Sequence, residues 1–474
     1  MKLIYKTLSL LLLSVAIQSC ELLGGIDEIK PEHVVDDETV ITDAATAQIA
    51  LNGIYSSLRD SYDIGIFRSC MSVWAGSCGK TNAAGANEFL GNSENKTSIK
   101  IDNYAVENVY RGYYYVMNEV NSFLANLEKS NPADLSDTRK AEMQAEARCL
   151  RALINIHLLR LFGEYYDTNS QYGIVLYEEP VRADIPKARS KVSDCYKLIQ
   201  SDLEFASTYA PVYQERHCLV SSLFAKALMA RVYLTLGEYA LASDWAGQVL
   251  DEAESSGYAL EGDFLAVFTT QFDSPEMLFA PYVDLATGEL VSSNWTGTMP
   301  GRLTMALGYS MGEDGMPDPR YQATFEDVFN TNQINKYPNI QDGFTDLNSY
   351  YFMRLPEVYY IKAEAEARLG NYTEARELMR PLCDRSGYAE DYVDRIADSD
   401  MLGMVLKNKL MELCVENGEE WFDLVRYHQR GGFEGWTESE KSKLPAFNQL
   451  ILPIPKTAIA GNNLLLQNPD YQSK

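Results

Sequence analysis

The sequence predicts a mainly α fold of paired antiparallel helices, with a loop-rich middle region that carries short strands. Three observations lead there. Apolar residues recur at helical spacing in most windows, two distant windows share one helix-turn-helix signature, and between about residues 257 and 350 the helical period fails. The chain has 474 residues, 46% of them apolar and 11% aromatic, enough for a sizeable packed core, so disorder of the whole chain is excluded. Acidic residues number 67 against 41 basic ones, a formal charge of −26. Such a charge opposes the counterion release that drives non-specific nucleic-acid binding, and it disfavours an anionic membrane surface.

At the N-terminus Lys2 and Lys6 precede an apolar run from Leu8 to Ile17, and Ser19-Cys20 follows. The run is too short to span a bilayer. A basic start, a short apolar segment and a small residue before cysteine resemble a bacterial lipoprotein signal, with residues 1–19 removed and Cys20 lipidated; Gln18 departs from the small or aliphatic residue usual there. Loss of Lys2 and Lys6 takes the side-chain charge to about −28. Residues 20–42 hold Gly24-Gly25, Pro31 and Asp36-Asp37-Glu38 without apolar periodicity, the composition of a flexible tether, and residues 43–474 form one domain.

The first helical pattern, "TDAATAQIALNGIYSSLRDSY", has Asp43 as cap and Ile49, Ile54 and Leu58 near a 3.6-residue period. Further helices are predicted near residues 104–128, 138–163, 191–209, 219–235, 239–255, 354–369, 373–384 and 400–428. "ARVYLTLGEYALASDWAGQVL" (230–250) superimposes on "AEAEARLGNYTEARELMRPLC" (363–383) at Ala230 and Ala363, Leu236-Gly237 and Leu369-Gly370, Tyr239 and Tyr372, and Ala242 and Ala375. Small residues let antiparallel helices approach, and glycine serves the turn between them. The signature resembles tetratricopeptide repeat units, here with the two copies far apart and the solenoid interrupted by the loop-rich middle.

"AEARCLRALINIHLLRLFGEYYD" (145–167) carries three arginines and His157. Leu150, Leu153, Ile154, His157, Leu158, Leu161 and Phe162 share one face, while Ala145, Cys149, Ala152 and Ile156 form a second face of smaller residues. The helix is therefore expected to be covered on two sides, with His157 in the core and Arg148, Arg151 and Arg160 as scaffold contacts. After cleavage seven cysteines remain (Cys70, Cys78, Cys149, Cys195, Cys218, Cys383 and Cys414), an odd number with no CxxC pair, which argues against a disulfide framework or zinc ribbon.

Catalytic and metal signatures are missing: the sequence has no HExxH, no GxSxG, no GxGxxG and no histidine pair at metal spacing. "GSCGKT" (76–81) lacks the spacing of a phosphate-binding loop, with Trp74 where its first glycine belongs. "GEDGMPDPR" (312–320) offers Asp314 and Asp318 to a cation but lacks alternating oxygen ligands, and reads as a solvated turn. No metal or cofactor is expected. Thirty-one tyrosines and five tryptophans remain to be explained. Tyr and Trp offer flat apolar faces with a polar edge, which suits the C–H faces and hydroxyl rims of sugars. Trp74 and Trp295 sit in loop-like settings, with Asn82, Asn294, Arg302 and Tyr309 as polar and aromatic neighbours; Trp245 and Trp421 read as core, and Trp436 as either.

The 145–167 stretch, together with "EGDFLAVF…SPEMLFAPY", "DPRYQATF", "NKYPN", "RLPEVYYIKAEAEARLG", "EEWFDLVRY", "LPIP" and "NPDY" in this order, resembles the SusD/RagB outer-membrane lipoproteins of Bacteroidetes over nearly the whole mature length. The resemblance implies a helical tetratricopeptide-like scaffold and no catalysis. It also implies surface binding of a glycan, delivered to a partner TonB-dependent SusC-like transporter, with the protein lipid-anchored at the outer membrane. A peptide-binding lid of the same architecture is the alternative, and a surface glycosidase a distant one. The family's shared blocks do not carry its binding residues, so the candidates remain Trp74, Asn82, Asn294, Trp295, Arg302 and Tyr309. Two departures stand out: "ELLGG" after Cys20 has one acid instead of an acidic cluster, and "ENGEE" (416–420) replaces a basic residue before Trp-Phe-Asp-Leu, with consequences for a local ion pair. Asp423 and Arg426, one turn apart, are read as a structural pair.

Overall fold

A computed structural model describes residues 41–60, 100–183, 185–212, 217–282, 318–327, 330–334, 340–341, 345–346, 351–413, 416–438 and 450–471. The fold is mainly helical. Helix α1 (Ala44–Asp60) is followed by α2 (Tyr104–Lys129), α3 (Asp137–Phe162), α4 (Val192–Tyr209), α5 (Ser222–Leu236) and α6 (Tyr239–Ala253). A short helix α7 (Ala266–Thr270) and strand β1 (Met277–Phe279) open the middle region. That region also holds α8 (Pro319–Thr324), the hairpin strands β2 (Phe325–Asp327) and β3 (Asn330–Ile334), and the pair β4 (Ile340–Gln341) and β5 (Thr345–Asp346), before β6 (Met353–Arg354) closes it. Helices α9 (Leu355–Leu369), α10 (Tyr372–Arg385), α11 (Met401–Glu412), α12 (Glu419–Arg430) and α13 (Lys456–Gly461) complete the described elements.

Local chemistry accounts for the ends of these helices. Asp43 caps α1, its Oδ1 accepting from the Thr46 amide at 2.7 Å, and Ser136 and Ser221 do the same for α3 and α5 through Arg139 N (3.1 Å) and Phe224 N (3.2 Å). The α5–α6 and α9–α10 turns are the two matched Leu-Gly pairs. Gly237 and Gly370 take φ of +80° and +84°, the left-handed conformation that satisfies the last carbonyls of each preceding helix. On α1 the buried face is Ala47, Leu51, Ile54 and Leu58; Ile49 lies on the opposite side, 68% exposed, so its expected place in the core is corrected. The predicted helix over 400–428 is two helices. Gly418 caps α12 at φ +73°, outside the right-handed helical region, and Glu416 and Asn417 beside it are buried and bonded to Arg354 and to Phe352 O.

Helices pack in chain order from α1 to α6, and then α9 lies directly against α6. Lys362 of α9 donates to Ser243 Oγ of α6 at 3.1 Å, and Ser243 also bonds Glu366. The two repeat copies are therefore neighbours in space, which corrects the interrupted solenoid: the intervening chain is looped out while the helix stack continues. The looped-out region is closed at its base by β1 and β6, antiparallel, with Met277 opposite Arg354 and Phe279 opposite Met353.

One core cluster runs through the stack, and α3 is its axis. Every residue from Ala145 to Phe162 is buried except Arg148, so both expected faces are covered. Leu150, Leu153 and Leu158 are fully buried, each contributing about 2 kcal/mol of apolar transfer. His157 stacks on Tyr113 (centroids 5.6 Å apart) and meets Phe352 edge-on at 6.1 Å, the aromatic core setting predicted for it. Arg151 forks onto Asp202 of α4 at 2.7 and 2.8 Å, Arg160 onto Glu419 of α12 at 2.9 and 2.7 Å, and Arg148 lies 4.2 Å over the Phe205 ring. All three arginines are scaffold contacts. Trp421 is fully buried, Trp245 packs half-buried against the main core, and Trp436 is buried beside Leu406 and Tyr427.

Candidate functional site

The sequence candidates Trp74, Asn82, Asn294, Trp295, Arg302 and Tyr309 lie outside the described residues, as do Cys20, Cys70, Cys78, Cys414, Asp314 and "GSCGKT". The described residues show what carries the ends of the two segments that hold the binding candidates. Segment 61–99 leaves from α1 and returns into α2; segment 283–317 leaves just after β1. An aromatic cluster joins these elements. Tyr55 of α1 meets Phe279 of β1 edge-on at 6.2 Å, and Phe279 stacks on Phe352 at 5.0 Å and touches Phe224 of α5 at 4.9 Å. Phe352 in turn meets His157, which stacks on Tyr113 of α2. The Tyr55 hydroxyl donates to Glu146 Oε2 at 2.7 Å and accepts from the Val220 amide at 3.0 Å; burial and the Glu146 carboxylate push its phenol well above the usual range. The elements that precede the two segments in the chain, α1 and β1, thus share one aromatic root.

Beneath β6 lies a buried ion cluster. Arg354, fully enclosed, bonds Glu276, forks onto Glu416 at 2.9 and 2.7 Å and reaches Glu412 at 3.2 Å. Arg385 bridges Glu276 and Glu412, each at 2.5 Å. Arg320 holds Asp318 at 2.8 Å and Asn408 at 2.7 Å, and the Tyr388 hydroxyl donates to Asp318 at 2.6 Å. Asp318 is therefore neither a calcium ligand nor part of a solvated turn. It is a buried ion-pair partner, and its arginine holds the carboxyl below the usual range against the opposing effect of burial. Burial pushes the Glu276 carboxyl up, with Arg354 and Arg385 opposing. Adjacent carboxylates with perturbed acidity can signal acid–base catalysis, but here each faces a guanidinium and no solvent. The arrangement fastens the base of the middle region to α10 and α11. The "ENGEE" departure belongs to this chemistry, since Glu416 and Glu419 are buried partners of Arg354 and Arg160. Asp423 bonds Arg426 at 2.7 Å and Lys409 at 3.0 Å, the structural pair expected. Among the described residues no group of three or more His, Cys, Asp or Glu gathers as a metal cage, no helix is long and apolar enough to cross a membrane, and Cys149, Cys195, Cys218 and Cys383 are buried outside any disulfide.

Sequence reasoning missed a cavity of about 590 Å³ on the outer face of α2, lined by Tyr110, Tyr114, Tyr115 and Tyr177 with Glu107, Arg111, Asn118 and apolar residues of the 175–181 and 455–465 segments. Its walls are held in place. The Tyr114 hydroxyl both donates to Val175 O and accepts from Val175 N at 3.1 Å, and its ring meets Tyr177 edge-on at 5.9 Å. Tyr110 packs 4.8 Å from Tyr114 and 5.0 Å from Phe162, and burial pushes its phenol up to about 12. The signal was visible as "YRGYYYVMN" (110–118), in which Tyr113 is fully buried, Tyr110 and Tyr114 are partly buried against the core and Tyr115 is exposed. A second, polar cavity of about 740 Å³ mixes Lys129, Arg148 and Arg182 with Glu128, Glu178 and Glu179, and its Arg151 is already held by Asp202.

Residues 304–471 match the SusD family model, and residues 38–234 match a second family model described as starch-binding associating with outer membrane. SusD-like protein P2 of Formosa agariphila is 22% identical over 94% of this chain and 96% of its own length. Among solved structures, a laminarin-binding SusD-like protein has a TM-score of 0.72 at 20% identity, covering 90% of this chain and 100% of the other. A SusD superfamily protein of Bacteroides thetaiotaomicron has a TM-score of 0.70 at 22% identity over 90% of this chain and 100% of its own. With one SusD model on each half and the same helical fold throughout, the chain belongs to the SusD-like family.

Proposed function

We propose that the protein binds a glycan at the cell surface and delivers it to a partner TonB-dependent, SusC-like outer-membrane transporter, anchored by a lipid on Cys20. Family membership carries this reading, through the model described as starch-binding and associating with the outer membrane. The laminarin-binding neighbour supports the ligand class. Binding is assigned to the two segments that follow α1 and β1 in the chain, with Trp74 and Trp295 as stacking platforms and Asn82, Asn294, Arg302 and Tyr309 as hydrogen-bonding and flanking groups. Binding without turnover fits the described acids, since the most deeply buried cluster is neutralised by arginines and enclosed.

The test is a carbohydrate array on mature protein followed by calorimetric titration of the best glycan. Trp295→Ala should weaken binding by up to about tenfold, on the order expected for losing an aromatic stacking contact, with the unfolding midpoint unchanged. Undiminished affinity removes the site assignment, and an array with no bound glycan removes the function.

A further inference from the structure

We propose that the tyrosine-lined cavity on α2 is a second saccharide site that takes a neutral pyranose ring. This inference rests on the glycan-binding reading but concerns a different surface. The lining decides the ligand class. The cavity presents the rings of four tyrosines, whose faces suit the C–H groups of a sugar, while Asn118, Glu107 and Arg111 supply the polar groups of the lining. Its charged lining residues, Glu107 and Arg111, stand one helical turn apart with opposite sign, so the site has no net preference for an acidic or basic sugar. Asn118 accepts from the Val181 amide through Oδ1 at 2.6 Å, which leaves its amide nitrogen as the group to offer a ligand. Arg111 donates through Nη2 to Asn108 Oδ1 at 3.1 Å, which fixes the guanidinium along the helix.

Preorganisation is the second argument. Tyr114 is tied at its hydroxyl to both polar atoms of Val175, and Lys187 lies 5.0 Å over the Tyr177 ring while donating to Leu176 O at 2.6 Å. Asn462 donates to Lys187 O at 2.7 Å and so joins the C-terminal wall to the 175–187 wall. A ligand entering such a cavity orders little, and most of its contact energy appears as affinity. Tyr115, 63% exposed, is the lining ring left at the mouth. Position is the third argument. Glu107, Arg111 and Tyr115 occupy the first turns of α2, directly after segment 61–99, and at about 1.5 Å rise per residue Tyr115 stands about 17 Å from Tyr104 along the helix axis. The cavity therefore opens on the N-terminal half of α2, the helix that follows segment 61–99 in the chain.

The experiment is saturation-transfer NMR on full-length mature protein with glucose, galactose, mannose and xylose as probes. At least one of the four should receive saturation. Tyr115→Ala, which removes an exposed ring and leaves the core untouched, should reduce that transfer by about fivefold or more, and Tyr115→Phe should retain most of it. Trp295→Ala should leave the Tyr115-dependent transfer in place. Transfer that depends on Trp295 and not on Tyr115 overturns the cavity site while sparing the proposed function. Transfer that depends on Tyr115 alone supports the cavity and counts against the loop assignment. No transfer to any of the four sugars, or transfer indifferent to Tyr115→Ala, overturns the proposal and assigns the cavity to some contact other than sugar.

Discussion

Glu364 shows how single residues in this protein are governed by their surroundings. It is buried on α9 between Arg426, which it bonds, and Arg368, whose Nε donates at 2.8 Å; these guanidiniums outweigh burial and bring its carboxyl down to about 2. A carboxyl held below its unfolded value stabilises the fold above that value and loses the contribution as pH falls through the folded one. Glu364 therefore contributes about 3 kcal/mol near neutrality, fading between the ordinary 4.5 and about 2. Glu276 and Glu357 have the opposite sign, since burial raises both, so the whole-protein acid profile is mixed. The comparison that isolates Glu364 is the stability gap between the native protein and Glu364→Gln, from urea midpoints at pH 6, 4 and 3. The gap should be widest at pH 6 and narrow steadily; a gap independent of pH contradicts the assignment. At this scale the sequence was readable where face spacing spoke for it. His157, Arg151 and Arg160 fell where their positions on α3 required, but Ile49 did not, because a single apolar residue near the right period is weaker than the run Ala47, Leu51, Ile54 and Leu58 that outvotes it.

Turns between paired helices depend on backbone conformation more than on contacts. A Cβ on Gly370 meets nothing within 4 Å, yet φ is +84°, so Gly370→Ala carries only the left-handed penalty, about 1 kcal/mol. Gly53 lies inside α1, also with open space around a Cβ, and there Gly53→Ala should stabilise by about 0.5 to 1 kcal/mol through helix propensity and a more restricted unfolded chain. Opposite signs in chemical denaturation confirm that Gly370 is kept for its turn; equal signs contradict it. Helix boundaries were legible to within a few residues because caps and Leu-Gly turns are local. The break between α11 and α12 was not, because it is imposed by distant partners: Glu416 reaches Arg354 and Glu419 reaches Arg160. The α2 cavity went unseen for a related reason, since "YRGYYYVMN" announces aromatics but only packing of the 175–181 and 455–465 segments makes them a concavity.

Across the whole molecule the helix stack is continuous from α1 through α6 to α9, and the middle region is a looped-out insertion clasped at its base by β1, β6 and the Arg354 cluster. Sequence comparison found the two repeat copies but set them apart, because adjacency of α6 and α9 is a tertiary fact with no local signature. The division that results is paired helices on one hand and, on the other, the two segments that follow α1 and β1 in the chain, elements joined by the Tyr55, Phe279 and Phe352 rings. Hydrogen exchange measured on the mature protein with and without its bound glycan tests that division most directly. The ligand should protect peptides within 61–99 and 283–317, with further protection over 107–118, and leave α5, α6, α9 and α10 unchanged. Protection confined to those paired helices, with 61–99 and 283–317 unaffected, would contradict it.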